Sequence, residues 1–464
     1  MIPLSELRPT RAELAEMIRL ASPVVLAQVG VMLMGVVDTA MVGRVGADAV
    51  AAVALGHIYW VNLTILGVGI LMALDPVVSQ AFGAGDVPGV RKGVQRGVVL
   101  AILLTIPVML ALMPSQWVFT AVHQPASVIP VAARWARWSS LGALPFFLFM
   151  ALSRSLNGMG NARPALIAII TGNVVNVVLN WLLIYGHGGF PALGAVGSSV
   201  STVVGRWVML AVMLYSGRTL LIPALKPWLP ASFHMRPLMR MVAVGAPVAF
   251  QQWLEIGVFS GGAMVLGWFG PTALASHEIA ISLAALTFMV PLGLSAASAS
   301  MVGRAIGRGD MPAARRDAVA AIAVGLGFMT AAALFFGLFP GQLAGLFIAD
   351  PETLALSASL ISIAALFQMF DGIQGVATGV LRGTADTRVP MLIHLGGFWG
   401  IGAPVGLWLA LRTSLGPRGV WWGYVAALIA VAGLQLWRVR WRLAGHIARL
   451  QVEHTAEHPV PSER

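Results

Sequence analysis

Twelve runs of apolar residues, each about long enough to cross a bilayer, leave this chain little choice of fold. A helix needs about 20 residues to span the hydrocarbon layer. Such runs fall at approximately 15–42, 49–80, 94–113, 127–150, 165–187, 193–216, 239–268, 273–302, 317–339, 354–380, 389–411 and 419–442. They are continuous and do not alternate, so a membrane β-barrel does not fit. Of the 464 residues, 58% are hydrophobic and only 10% are charged, against roughly 25% charged in a soluble domain. That leaves too little polar surface to cover a soluble core. Soluble enzymes, disordered chains and nucleic-acid modules are thereby excluded. The absence of cysteine removes thiolate metal sites, iron–sulfur clusters and disulfides. The class expected is an all-α integral membrane protein embedded in lipid.

The net charge of +11 is concentrated between the runs. If the N-terminus, the even-to-odd connections and the C-terminus share one side, that side holds 23 of the 29 Lys and Arg residues. The positive-inside rule makes it cytoplasmic. The expected location is therefore a bacterial inner membrane, with both termini inside.

The chain also repeats itself. Gly83-Ala-Gly85-Asp86-Val-Pro88 and Arg91 recur as Gly307-Arg-Gly309-Asp310-Met-Pro312 and Arg315, a shift of 224. Pro23/Pro247, Gly43/Gly267 and Gly46/Gly270 keep that shift, and Gly158, Asn161 and Arg163 return as Gly383, Asp386 and Arg388 at 225. Six spans followed by six equivalent ones, starting on the same side, form a parallel repeat, an arrangement common in transporters. The expected organisation is a lead-in at 1–14, a first lobe at 15–216, a linker at 217–238, a second lobe at 239–442 and a disordered tail at 443–464. The Gly-Asp turns read as hinges, since their glycines permit positive φ and their aspartates can bond turn amides.

A charge inside a membrane is costly, and so marks function by default. Asp38, Asp75, Glu255, Glu278 and Asp371 fall within spans. Asn173, Asn176 and Asn180 share one helical face of the fifth span, and Ser198, Ser199, Ser201 and Thr202 lie in the sixth. With Asp38 they offer carboxylate, amide and hydroxyl oxygens, suited to a hard monovalent cation or a proton. Glu255 has Gln251 and Gln252 one turn earlier, and Asp371 is flanked by Gln368 and Gln374. Two carboxylates in one apolar half-bundle favour sharing a proton over holding two charges. Asp75-Pro76 reads as a capped kink, His277-Glu278 as interfacial, and Arg206 as paired or snorkelling. Phe288, Met289 and other Met and aromatic residues of the second half suit an adaptable apolar cavity.

These motifs carry a resemblance. Gln251-Gln252-Trp-Leu-Glu255, Ala275-Ser-His277-Glu278-Ile-Ala, Phe367-Gln368-Met-Phe-Asp371-Gly-Ile-Gln374 and Leu381-Arg-Gly-Thr-Ala-Asp386-Thr-Arg388-Val-Pro390 resemble the multidrug and toxic compound extrusion family, NorM-like branch, from about residue 11 to 442. The resemblance implies two six-helix lobes around a V-shaped cavity and export of cationic or aromatic drugs against Na+ or H+. It implies that Asp38, Glu255 and Asp371 are functional carboxylates, joined in the first lobe by Asn176, Asn180 and Thr202. The substrate cavity is expected at Gln251, Gln252, Glu255, Phe288, Met289, Gln368, Asp371 and Gln374, with Asp75 and Glu278 left open. Phe367 stands where such proteins often place a tyrosine, which removes one hydroxyl ligand. No cofactor, metal beyond Na+, nucleotide or nucleic acid is expected, no P-loop occurs, and the unit expected is a monomer. The alternative is a lipid-linked saccharide flippase of related fold, which would want several cations in its cavity, where only Arg206 lies within a span. An intramembrane enzyme would need clustered catalytic groups, and the acidic residues lie singly on separate spans.

Overall fold

The structure is a computed structural model that describes residues 8–452. Helix α1 (Arg11–Gly43) is followed by α2 (Ala47–Leu71), α3 (Leu74–Gly83), α4 (Val87–Leu112), α5 (Ser115–Ala121), α6 (Ile129–Ser140), α7 (Ala143–Gly158), α8 (Arg163–Tyr185) and α9 (Ala195–Ser216). The connecting α10 (Arg218–Leu225) leads to α11 (Met235–Gly267), α12 (Pro271–Gly307), α13 (Met311–Leu338), α14 (Pro340–Gly345) and α15 (Pro351–Gly383). Last come α16 (Arg388–His394), a π-helical stretch at Leu395–Gly402, α17 (Ala403–Arg412) and α18 (Pro417–Ala444). No strand occurs among the described residues. Eleven helical segments are long and apolar enough to cross a membrane, and α6 with α7, bent by 50°, makes the twelfth.

Two of the spans are broken, the second of them near the kink expected at Asp75-Pro76. The 127–150 run divides at Leu141-Gly142, where the Arg206 side chain packs so tightly on Gly142 that a Cβ there would collide with it. The second run breaks between α2 and α3. Asp75 does not cap that break, because α3 has no side-chain cap at its start. Its carboxylate instead forms an ion pair across the lobes with Arg382 Nε at 2.7 Å, with Arg154 at 3.6 Å. Arg382, expected near a loop, is only 5% exposed.

The repeat is carried by backbone geometry. Gly85 and Gly309 have φ of 68° and 74°, and Gly194 and Gly416 have φ of 56° and 53°. Asp86 and Asp310 both cap the next helix, accepting from the amides of Gly89 (2.8 Å) and Ala313 (3.0 Å).

The lobes meet through α2 on α11, α1 on α12 and α3 on α12. Small residues make this possible, as small-residue seams do in membranes: Gly69 lies against Ala249, Gly245 against Ile70 and Gly293 against Val25. Polar ties reinforce the seam. Gln80 donates to the Gly383 carbonyl (2.9 Å) and Ser300 to the Asn157 carbonyl (2.5 Å). Glu13 and Glu16, at the start of α1, pair with Arg316 (2.7 Å) and Arg304 (3.3 Å). These inter-lobe ties, with the Asp75–Arg382 pair, join residues at or near the ends of spans on the side that carries the chain ends.

The tail departs from the expectation of disorder. Residues 445–452 lie along this seam, where the Leu450 amide donates to Gln80 Oε1 (2.7 Å) and Arg449 pairs with Asp86. Arg240 donates to the Val452 carbonyl at 2.9 Å, and Ile447 is buried. Docking onto Gln80, Asp86 and Arg240 at the seam gives this segment contacts that its composition does not reveal. His454, His458 and Arg464 lie outside the described residues. The linker is likewise held: Gln95 donates to the Pro227 carbonyl (2.9 Å) and accepts from the Leu229 amide and the Ser232 hydroxyl (2.9 and 2.7 Å).

Candidate functional site

In the first lobe, α1, α8 and α9 bring one carboxylate to three neutral side chains. Asn180 Nδ2 donates to Asp38 Oδ1 at 2.6 Å, and the Thr202 hydroxyl donates to Asp38 Oδ2 at 3.0 Å. Asn176 donates to Thr202 (3.2 Å) and accepts from Asn180 (3.2 Å). The i, i+4 spacing of Asn176 and Asn180 on α8 aligns them one above the other. Asn180 Oδ1 is buried without a partner, and a buried amide oxygen of this kind is costly unless something occupies it. The other polar candidates serve packing. Asn173 donates to the Gly30 carbonyl (3.1 Å), stitching α8 to α1. Ser198 accepts from the Trp135 indole (3.0 Å), and Ser199 and Ser201 bond their own helix.

Asp38 and Thr202 form part of the wall of a cavity of about 920 Å³, lined also by Trp60, Trp135, Phe146, Phe149 and Arg206. None of the eight residues expected at the substrate cavity lines this space. Arg206 Nη1 is buried with no hydrogen-bond partner among the described residues. Its guanidinium lies 4.0 Å from the centre of the Trp60 ring and 5.4 Å from that of Phe146.

The second lobe joins two carboxylates through an amide. Gln374 Nε2 donates to Asp371 Oδ1 (3.1 Å) and to Glu255 Oε1 (3.3 Å). Its carbonyl end, Oε1, is 3.0 Å from His394 Nε2. Around that buried imidazole stand the Gln251 amide (3.0 Å from Nε2), the Pro390 carbonyl (2.9 Å from Nδ1) and the Gln435 amide (3.2 Å from Nδ1). Glu255 Oε2 is 4.0 Å from Nε2. Each ring nitrogen thus has a carbonyl that can accept from it and an amide that can donate to it, so the ring can hold its proton on either side.

The other sites expected in this lobe are dispersed. Gln368 donates to Thr287 (2.6 Å), the Gln252 amide oxygen is buried without a partner, and the Phe288 ring lies over Gly375. Met289 is half-buried on α12, and Glu278 is exposed. His277 is buried between the rings of Trp421 and Tyr424. Phe367 is only 2% exposed and packs on Phe259 and Trp421, with ring centres 6.3 and 5.9 Å away. Among the described residues, no three His, Asp or Glu side chains gather as a metal site.

Sequence reasoning missed His394, Gln435 and Thr378, which donates to Gln435 (3.1 Å). A signal for His394 was present: an ionisable residue inside an apolar span is a functional suspect by default. The π-helical stretch that follows it is a second mark of such sites. Pro404, which has no N–H to donate to the Gly400 carbonyl, is one reason the regular helix loosens there.

The MatE family model matches residues 23–182 and again 247–408. "Multidrug resistance protein NorM" of Burkholderia vietnamiensis is 38% identical over 440 residues, covering 93% of this chain and 94% of that one. "Multidrug resistance protein PmpM" of Pseudomonas aeruginosa is 35% identical, covering 93% and 92%. Among solved structures, an outward-facing multidrug resistance MATE family transporter of the MOP superfamily superposes with a TM-score of 0.85 at 19% identity, covering 95% of this chain and 97% of that one. The eukaryotic MATE transporter AtDTX14 gives 0.81 at 20%, covering 93% and 99%. These two likenesses bear on the fold alone.

Proposed function

The chain belongs to the MatE family, in its NorM-like branch, and from that premise we propose that it works as a secondary antiporter, exporting cationic or aromatic organic compounds in exchange for Na+ or H+. Multidrug efflux is the family's work, and the chain is not an enzyme. The observation that carries the antiport reading is Asp38, a buried carboxylate held by Asn180 and Thr202 on the wall of the large aromatic cavity. A cation or proton taken up there changes the charge that a bound drug meets.

Asp38 with Asn176, Asn180 and Thr202 serves as the first-lobe coupling site. There the orphaned Asn180 Oδ1 offers the oxygen that a hard cation needs. Glu255 and Asp371 share a proton through Gln374, while His394 fixes the orientation of that amide. Phe367, buried among aromatic rings and without a hydroxyl, supports proton over sodium in the second lobe. Gln251, Gln252, Phe288, Met289 and Gln368 belong to the second-lobe wall of the substrate path. The concentration of inter-lobe ties at the chain-end half supports an arrangement closed towards the cytoplasm, with the termini inside and alternating access by rearrangement of that seam. The working unit is a monomer in the inner membrane.

The energetics suffice. A potential of ~150 mV supplies about 3.5 kcal/mol per cation, enough for a several-hundred-fold gradient of a neutral substrate. The test is transport of an ethidium-like dye in liposomes, with sodium and proton gradients imposed separately. Dye movement driven by either gradient is expected, and indifference to both would sink the antiport reading.

A further inference from the structure

We propose that Asp75 is a two-position ion-pair switch on the inter-lobe seam. Arg382 of the second lobe holds it while the seam is closed, and Arg154 of its own lobe takes it over when the seam opens. The switch rests on the reading that transport proceeds by rearrangement of that seam, and it names the residues that set the balance between the two arrangements.

Three helices converge on the carboxylate. Asp75 lies on α3, Arg154 on α7 and Arg382 on α15, so one partner shares its lobe and the other does not. Asp75 Oδ2 is 2.7 Å from Arg382 Nε and 3.6 Å from Arg154 Nη1. Arg154 pairs with no other carboxylate among the described residues. Asp75 and Arg382 are buried and Arg154 is half-buried. Parting a buried ion pair is expensive, because it leaves an uncompensated charge on each side. Here neither charge is stranded. Asp75 already has Arg154 within ion-pair distance. Arg382 gives up the Met72 sulfur across the seam (3.7 Å) but keeps the Ser295 hydroxyl of its own lobe (3.4 Å).

The scaffold does not require these charges. The internal repeat sets Ala299 against Asp75 at the shift of 224, and Gly379 and Asn157 against Arg154 and Arg382 at 225. None of the three equivalents is ionisable, so the repeated fold forms there without an ion. Two guanidiniums also face one carboxylate, a cation more than neutrality needs, where each buried charge is costly. As the next partner, that second cation has a use that a static tie does not give it.

The test reads seam opening directly and needs neither dye nor ion gradient. The chain has no cysteine, and Ser300, which donates across the seam to the Asn157 carbonyl (2.5 Å), is buried. Asn157 is about one turn from Arg154 on α7, so a thiol at position 300 lies near the switch. Every chain compared carries Ser300→Cys, which makes its effect common to all. In detergent, labelling by a water-soluble maleimide follows the open population when opening outpaces the reaction. Arg382→Gln removes the partner of the closed seam and should speed labelling by about tenfold or more, the range for a charged hydrogen-bond partner. Arg154→Gln removes the partner of the open seam and should slow labelling by about the same factor. A faster rate in both variants, or no change in either one, overturns the proposal and leaves a static tie. Should a Gln variant fail to fold, the Lys variant at that position replaces it: a smaller change of the same sign is expected, and an unchanged rate overturns the proposal. Labelling absent from every chain would sink seam rearrangement together with the switch, whereas labelling with the wrong signs would sink the switch alone.

Discussion

The two lobes repeat in backbone and differ in polar chemistry, and the contrast can be followed position by position. At the shift of 224, Asp38 corresponds to Gly262, which packs against the Tyr424 ring, and Glu255 corresponds to Val31. At 225, Asp371 corresponds to Phe146 and His394 to Ile169. Val31 and Phe146 line the first-lobe cavity. Where the second lobe builds its carboxylate pair, then, the first has apolar wall, and where the first places its carboxylate the second needs a glycine for close packing. The positive-φ glycines and helix caps survive in both halves because they fix chain direction. The charges do not, because a shared scaffold tolerates any side chain that finds partners. The first-lobe cavity site thus holds a single carboxylate among neutral donors, and the second-lobe site holds two carboxylates bridged by an amide beside an imidazole.

The sharpest way to break this comparison is to remove the single carboxylate. Asp38→Asn should lower gradient-driven dye transport by about a hundredfold or more, since the amide oxygen can still accept a hydrogen bond but the charge that takes up a cation or proton is gone, while the protein still folds. Liposome flux, checked against thermal unfolding, measures it. Transport at the normal rate would move coupling wholly into the second lobe.

A smaller effect is expected from the paired carboxylates, because either can hold the shared proton. Glu255→Gln or Asp371→Asn should flatten the pH dependence of efflux and leave sodium stimulation in place. Flux measured across a pH series decides. If both variants, together with Asp38→Asn, lost sodium stimulation equally and pH had no effect, the second lobe would be a sodium site despite Phe367.

His394→Phe asks whether the bridging amide needs its anchor. Removing the ring's hydrogen bond to Gln374 should cut transport about threefold to tenfold, the worth of ~1 kcal/mol, and shift the pH profile. His394→Gln, which keeps a polar partner, should restore part of it. A loss of folding without a change in profile would reduce His394 to a packing residue.

The repeat turns give the smallest effect. Asp310 caps its helix alone, whereas Asp86 also holds the tail through Arg449. Partial burial pushes the Asp86 carboxyl up, but the Arg449 guanidinium and the Gly89 amide outweigh this and hold it below its ordinary value of 3.8. The pair's stabilisation is therefore present above about pH 4 and lost as the pH falls through the lowered value. Arg449→Ala should cost no more than about 1 kcal/mol, because the pair is partly exposed. Thermal unfolding at neutral pH should show it, and the difference from the unaltered chain should vanish in acid. A large loss at neutral pH would mean that the tail is an integral part of the seam.

The sequence by itself determined the membrane class, the number of spans, the internal repeat and which carboxylates fall within spans. Those properties are local: hydropathy, glycine and proline punctuation and a rare charge can each be read within a window of one span. The convergence of Asn176, Asn180 and Thr202 on Asp38 was half legible, since their face of α8 followed from helical spacing. Only packing could show that Asn173 and the serines turn elsewhere. Asp75 with Arg382, Gln80 with the tail, and Gln374 with His394 were not legible at all. Neither was the position of the large cavity, in the first lobe and away from Glu255. Asp38 meets Asn180 and Thr202 across 142 and 164 residues, and Asp75 lies about 300 positions from Arg382. Which side chains meet over such separations depends on how helices rotate and bend against one another. The bend at Gly142, where Arg206 of a neighbouring helix packs, and the π-helical stretch after His394 help to set those angles.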